Sequence, residues 1–359
     1  MDTKLFVACM NGKLFERFWD GSAWVWVDHG RPPGTRVSTA PGASMLDSKL
    51  FVGTTNERMF ERYWNGSAWV WVDHGTLIHD NRATLIDNSG STPKRTLAVV
   101  GDGFAEKDLD RYKSWVQDQL IKGVFDRDIM KEYRSAFNVI RIDLVSIDSG
   151  VSQKRYDEHG TPNDPADDTV SSETFRWSRL GYVYSGSWAH CWLESKSMTN
   201  AALLKVLKRF CPNYDFVLVV LNESGPGGCG GGGRQVVTRG EGWSTIIHEF
   251  GHGMFGLDDE YQRSGKTFTG SSWTGPNCSV SANRATLKWA DLVAASTPLP
   301  TTSTPSGWND NTDVGAFEGC GTYEKGLYRP VKNCRMNSNT PPFCPLCSRV
   351  IWQLLQPYL

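Results

Sequence analysis

The chain lacks an excess of either charge: 38 Lys and Arg stand against 39 Asp and Glu over 359 residues, for a formal net charge of −1. Gripping a nucleic-acid backbone takes a basic face, so the composition gives no reason to expect that partner. It also lacks any run of 18 apolar residues, and no part of it is expected to cross a membrane as a helix. The opening stretch, MDTKLFVACMNGKLFERFW, has neither the basic start, nor the apolar segment, nor the small-residue cleavage site of a secretory leader. At this length the chain can hold one full-sized core plus a smaller module.

Cysteine, by contrast, is plentiful. Of nine, eight lie beyond residue 190: Cys191, Cys211, Cys229, Cys278, Cys320, Cys334, Cys344 and Cys347. An even set in one region predicts a disulfide framework made in an oxidising compartment, with Cys9 left over. Free buried thiols are the plainer alternative. A structural zinc is the weaker one, because CPLC at 344–347 is a single C-x-x-C with no second pair at finger spacing.

The first 76 residues repeat. KLFERFWDGSAWVWVDHG at 13–30 recurs as RMFERYWNGSAWVWVDHG at 58–75, and KLFV at 4 recurs at 49, an offset of 45 residues both times (58 − 13 and 49 − 4). Each copy reads as three short strands, with DGS or NGS as the hairpin turn, and self-similarity at this period points to propeller-like arrays. The repeat resembles the blades of fucose-binding lectin propellers. Two blades cannot close a propeller, which suggests homo-oligomerisation through the repeats or further blades upstream. Trp19, Trp24, Trp26, Trp64, Trp69 and Trp71 are candidates to stack on sugar faces, foremost Trp24, Trp26, Trp69 and Trp71; blade core is the competing role. His29 and His74 recur at one repeat position and read as turn-stabilising.

Residues 77–94 read as a linker with the first strand of the next domain, and 95–359 as that domain. RTLAVVGDGF is a buried strand running into a turn, AEKDLDRYKSWVQDQLIKGVF has helical period, and AFNVIRIDLVSI and DFVLVVLNE are further strands. Their order predicts a mixed sheet packed against helices, an α/β (α+β) architecture. The last hundred residues read as mostly irregular. GPGGCGGGG at 225–233 is not a phosphate loop: it lacks G-K-S/T, and Arg234 precedes QVV, which reads as strand. Its glycines suit close backbone approach at a strand edge.

The chemistry concentrates in IIHEFGHGMFGLDDEYQ, 246–262. A helix over 241–255 puts Ile247, Phe250 and Met254 on a core stripe and His248 and His252 together on an adjacent face. Two imidazoles four residues apart can hold one Zn²⁺, and Glu249 between them can take a proton from water and pass it to a leaving amine. This is the H-E-x-x-H pattern of zinc peptidases. A third ligand is needed. In the metzincin peptidases it comes three residues after a turn glycine; from Gly256 that is Asp259. Counting ten from the first histidine gives Asp258 instead. Asp259 is favoured because the turn sets the geometry, with Asp258 second and Glu260 third. His159 and His190 read as loop or core residues.

HEFGHGMFGLDDEY, LIDNSGSTPKRTLAVVGDGFAEKDLDRY, FNVIRIDLVSIDSGV and GLYRPVKNCRMNSNTPPFCPLC together resemble the IgA-cleaving metallopeptidase family, over about residues 80–359. The resemblance implies a metzincin-like catalytic domain and an acid-acid-Tyr ending at Asp259, Glu260 and Tyr261. It departs from the family pattern at Phe255, where a glycine is usual. It also makes Met336 the Met-turn residue under the zinc, flanked by Cys334 and with Cys344 or Cys347 as candidates to staple the turn, and offers Tyr328, or Tyr323, as a donor to the developing oxyanion. The reading is a zinc-dependent endopeptidase acting on protein or peptide substrates, extracellular or secreted, with a glycan-binding module ahead of it. The alternative is a glycan-binding protein whose metal site is structural or inactive.

Overall fold

A computed structural model describes residues 4–39, 42–44, 49–55, 58–76, 80–160, 167–185, 201–224, 227–231, 235–239 and 242–359. His190, Cys191, Arg234 and parts of the linker and of the glycine run lie outside the described residues. The chain divides into two compact units, Met1–Asp80 and Asn81–Leu359.

In the first unit the repeat in sequence is a repeat in register. Lys4–Ala8, Leu14–Trp19 and Trp24–Asp28 form one antiparallel sheet, and Gly42–Ser44, Lys49–Gly53, Arg58–Trp64 and Trp69–Thr76 form another. Trp19 faces Trp24 as Trp64 faces Trp69, and Arg17 faces Trp26 as Arg62 faces Trp71. Asp20 Oδ1 accepts the backbone N–H groups of Ser22 and Ala23, and Asn65 Oδ1 does the same for Ser67 and Ala68. The core is small: Leu14, Val37, Leu50, Val52 and Phe60. No closed propeller is present among the described residues; the unit is two antiparallel sheets.

The second unit is built on a six-stranded mixed sheet. Its order is Gly228–Gly231, Gln235–Arg239, Phe216–Leu221, Arg95–Asp102, Phe137–Asp143 and Asn81–Ile86. The four inner strands are parallel and both edges are antiparallel. Parallel strands covered on both faces should be apolar; Phe216–Leu221 is so throughout, and the other three carry their polar residues mainly toward the ends. Leu97, Val99, Phe216, Leu218 and Val236 enter one core; Ala98, Val100, Val217, Val219 and Val237 enter the other. Helix Ala201–Phe210 covers the second face through Leu203, Val206 and Leu207. On the first face Leu109–Trp115 runs on as a π-helix to Val124, burying Tyr112, Val116 and Leu120, and Trp243–Gly253 buries Ile246, Ile247 and Phe250.

The C-terminal stretch is mostly irregular, as its composition suggested, with a few regular elements set in it. Gln262–Thr267, Thr322–Arg329 and Phe317–Cys320 make a small sheet, and helix Pro345–Leu355 closes the first core with Leu346, Ile351 and Leu355. The even disulfide framework is not what forms. Cys278 is bonded to Cys320 and Cys229 is disulfide-bonded, whereas Cys9, Cys211, Cys334, Cys344 and Cys347 are free.

Candidate metal centre and active site

Helix Trp243–Gly253 carries His248 and His252 on one face, as the four-residue spacing requires. The chain then reverses at Gly256, whose φ of 65° is a left-handed conformation that disfavours a side chain. Phe255, at the position where a glycine was expected, is instead buried in the core. The turn returns Asp259 to the histidines. His248 Nε2 and His252 Nε2 are 3.2 Å apart, and Asp259 Oδ1 lies 3.2 Å from the first and 3.1 Å from the second.

Three such atoms around a tetrahedral ion with bonds of ~2.0–2.1 Å would be separated by roughly 3.3–3.4 Å. The proton positions fit as well. His248 Nδ1 is 2.7 Å from the Arg335 carbonyl and His252 Nδ1 is 2.7 Å from the Leu257 carbonyl. A carbonyl only accepts, so both Nδ1 atoms carry hydrogen, and a neutral ring then presents a bare Nε2 lone pair. Two lone pairs and a carboxylate oxygen facing one another are repulsive unless a cation sits among them. The donor set therefore fits Zn²⁺.

Without an ion, a proton held between His252 and Asp259 relieves the same repulsion. Burial would raise Asp259, yet hydrogen bonds and charge from both imidazoles hold it well below the usual carboxylate range. Burial would lower His252, but Asp259 outweighs it and lifts the group to about 9. Glu249 is pushed upward by burial, with the two imidazoles opposing. The Gly230 backbone N–H hydrogen-bonds to it.

Edge strand Gly228–Gly231 lies directly on this helix. A Cβ on Gly228 would come within 2.7 Å of Glu249, and one on Gly230 within 2.5 Å of the Glu249 carbonyl and 2.8 Å of His252 Cβ. The glycines thus serve close approach of strand to helix. Met336 is fully buried, and its Sδ would be 2.4 Å from a Cβ on Gly251, between the two histidines.

Asp258 turns away: its Oδ2 accepts from Trp273 Nε1 at 2.7 Å. Glu260 is buried and hydrogen-bonded to Asn277 Nδ2 at 3.0 Å. Tyr261 hydrogen-bonds to Asp259. Tyr328 lies half-buried in strand Thr322–Arg329 with its backbone paired to Ser279, and Tyr323 packs with Phe268 and Trp273; no described hydrogen bond joins either to the histidines. His159 is an exposed loop residue beside Thr169. His29 and His74 pair with Glu16 and Glu61 at 2.8 and 2.6 Å. Of the tryptophans, Trp24 and Trp26 are half-exposed beside Arg17, Trp69 packs on His29 and Trp71 lies under Arg62.

Sequence reasoning missed Asn277, which clamps the acidic turn through the Asp258 N–H and carbonyl. It also missed the carbonyls of Leu257 and Arg335. Asn277 has no distinguishing neighbours in sequence, and a main-chain carbonyl leaves no trace in residue identity.

No curated protein matches the chain. A sequence model of the IgA Peptidase M64 family matches residues 84–312 and 307–355, the greater part of the second unit. The histidine-bearing helix, the returning acidic turn and the buried methionine all fall inside that match, and the chain belongs to the IgA peptidase M64 family of peptidases.

Proposed function

We propose that the chain is a zinc-dependent endopeptidase whose metal ligands are His248, His252 and Asp259. The observation that carries this reading is the convergence of three ligand atoms, 3.1–3.2 Å apart, with both Nδ1 atoms committed to carbonyls. Zn²⁺ held there would act as a Lewis acid on the substrate carbonyl and would acidify a water.

The chain's own residues supply the rest. Glu249, buried and one residue from His248, takes the proton lost as water oxygen bonds to the scissile carbonyl carbon. It returns that proton to the departing amine as the C–N bond breaks. Met336 forms an apolar floor against Gly251, and Tyr261 steadies Asp259. Strand Gly228–Gly231 is the edge of its sheet among the described residues, and an extended peptide laid along that edge would lie close to Glu249. Tyr328 has no described contact with this group and is a weaker oxyanion donor than its sequence position suggested.

The disulfide Cys278–Cys320 supports work outside the reducing cytosol. No described helix is long and apolar enough to cross a membrane. In the repeat unit, the half-exposed Trp24 and Trp26 support a glycan contact that would tether the enzyme near glycosylated proteins. Casein or gelatin hydrolysis by the full chain, with and without a chelator, tests the enzymatic reading. Cleavage abolished by chelation and restored by Zn²⁺ is expected; cleavage indifferent to chelation overturns it. A glycan array probed with the full chain tests the tether, and loss of any bound sugar on Trp26→Ala is expected.

A further inference from the structure

Next to Asp259 the chain places a second group of donors that the peptidase chemistry leaves unused. Glu260, Cys334, Cys344 and Cys347 are all buried, and one ligand atom from each lies within 4.8 Å of the others. Cys334 Sγ and Cys347 Sγ are 3.8 Å apart, and Cys347 Sγ is 3.4 Å from Glu260 Oε1. A tetrahedral zinc with Zn–S of ~2.3 Å and Zn–O of ~2.0 Å sets sulfurs roughly 3.7–3.8 Å apart and sulfur from oxygen roughly 3.5 Å.

Three further observations point to an ion. Glu260 Oε2 is buried and has no hydrogen-bond partner, a costly state for a carboxylate at zero exposure. Backbone N–H groups aim at the sulfurs as they do at thiolates: Cys344 N donates to Cys334 Sγ at 3.4 Å and Cys347 N to Cys344 Sγ at 3.5 Å. The same chain has its Cys278–Cys320 pair oxidised, yet these three neighbouring thiols remain unjoined, and three cannot pair among themselves without a remainder.

We propose that these four side chains form a second, structural zinc site of Cys₃Glu type. Three thiolates and a carboxylate suit a borderline-soft ion, and four protein donors in a buried site leave no open position for substrate. The site carries two net negative charges once zinc is bound. The guanidinium of Arg329, which interacts with Glu260, offsets part of this charge, and Arg335, which interacts with Cys334, is shared with Asp128. The ion cross-links the acidic turn, the methionine segment and the start of helix Pro345–Leu355.

This site is independent of the catalytic reading, and the test separates the two. Full-length protein is purified without chelator, its zinc is counted by native and elemental mass spectrometry, and the cobalt-substituted form is examined by absorption. Two ions per chain and an intense thiolate-to-cobalt charge-transfer band are expected. The His248→Ala/His252→Ala variant should keep one ion and the band, whereas Cys344→Ser/Cys347→Ser should lose the band. One ion in the wild type with the band present would sink the catalytic site and leave this one standing. A wild-type protein with no thiolate-to-cobalt band overturns the proposal, as does non-reducing peptide mapping that finds Cys334 bonded to Cys344 or Cys347. Neither of these readouts needs a variant to fold.

Discussion

Both units of this chain bury histidine against carboxylate, and they do it in opposite ways. In the repeats, His29 Nε2 meets a single partner, Glu16 Oε2 at 2.8 Å, while its buried Nδ1 has none. His74 repeats the pairing with Glu61. In the peptidase unit each Nδ1 is anchored on a carbonyl, and the two Nε2 atoms turn toward each other and toward one oxygen. His74 is exposed, but His29 shares residue type and burial with His248; the difference lies in which nitrogen the backbone occupies. A histidine fixed through Nδ1 by main chain is poised as a ligand, and one held through Nε2 by a lone carboxylate is an ion pair or a turn clamp.

The comparison is broken most severely by removing a ligand. His248→Ala or His252→Ala should cut peptide hydrolysis by about 10⁴-fold or more and release the catalytic ion, which parallel activity and metal assays would register. His29→Ala should leave both unchanged. Next comes Glu249→Gln, which should lower kcat by roughly 10²–10⁴-fold with the catalytic ion retained. Loss of the ion as well would show that Glu249 holds the site together instead of moving a proton.

A smaller effect is expected from Gly251→Ala. The added methyl would meet the fully buried Met336 at Sδ, and overpacking of this kind costs about 1–3 kcal/mol in thermal or denaturant unfolding. The weakest change concerns pH. Burial outweighs Glu16 and depresses His29 below its ordinary 6.5. The unfolded chain therefore binds that proton more readily than the folded one. The contribution of His29 is full above about 6.5 and is lost as pH falls below that value and through the lower pKa of the folded state. Unfolding monitored by tryptophan emission should show this loss with or without chelator, and His29→Gln should flatten it. Dependence on chelator would mean the signal comes from the metal centre.

Much of this was legible in sequence because it rests on periodicity. The four-residue spacing of His248 and His252, the short apolar runs LAVV and FVLVVL and the 45-residue offset are properties of order along the chain, and local geometry converts them directly into helix faces, buried strands and repeated sheets. Asp259 over Asp258 was a matter of turn conformation, which one residue more or less before Gly256 left open. What stayed hidden depends on distant contacts. Asn277 reaches the acidic turn across 17 to 19 residues, and Cys334, Cys344 and Cys347 meet Glu260 across more than 70. A search for paired C-x-x-C spacing passes over a cluster whose fourth member is an acid.

Residues 334 to 336 have no slack. Cys334 faces the other two thiols, the Arg335 carbonyl fixes one imidazole and Met336 presses on Gly251, while the Met336 carbonyl receives the Glu260 N–H at 2.7 Å. Inserting or deleting a single amino acid here would misalign every one of these partners together, so variation in chain length should be tolerated in the surrounding loops and refused at this tripeptide.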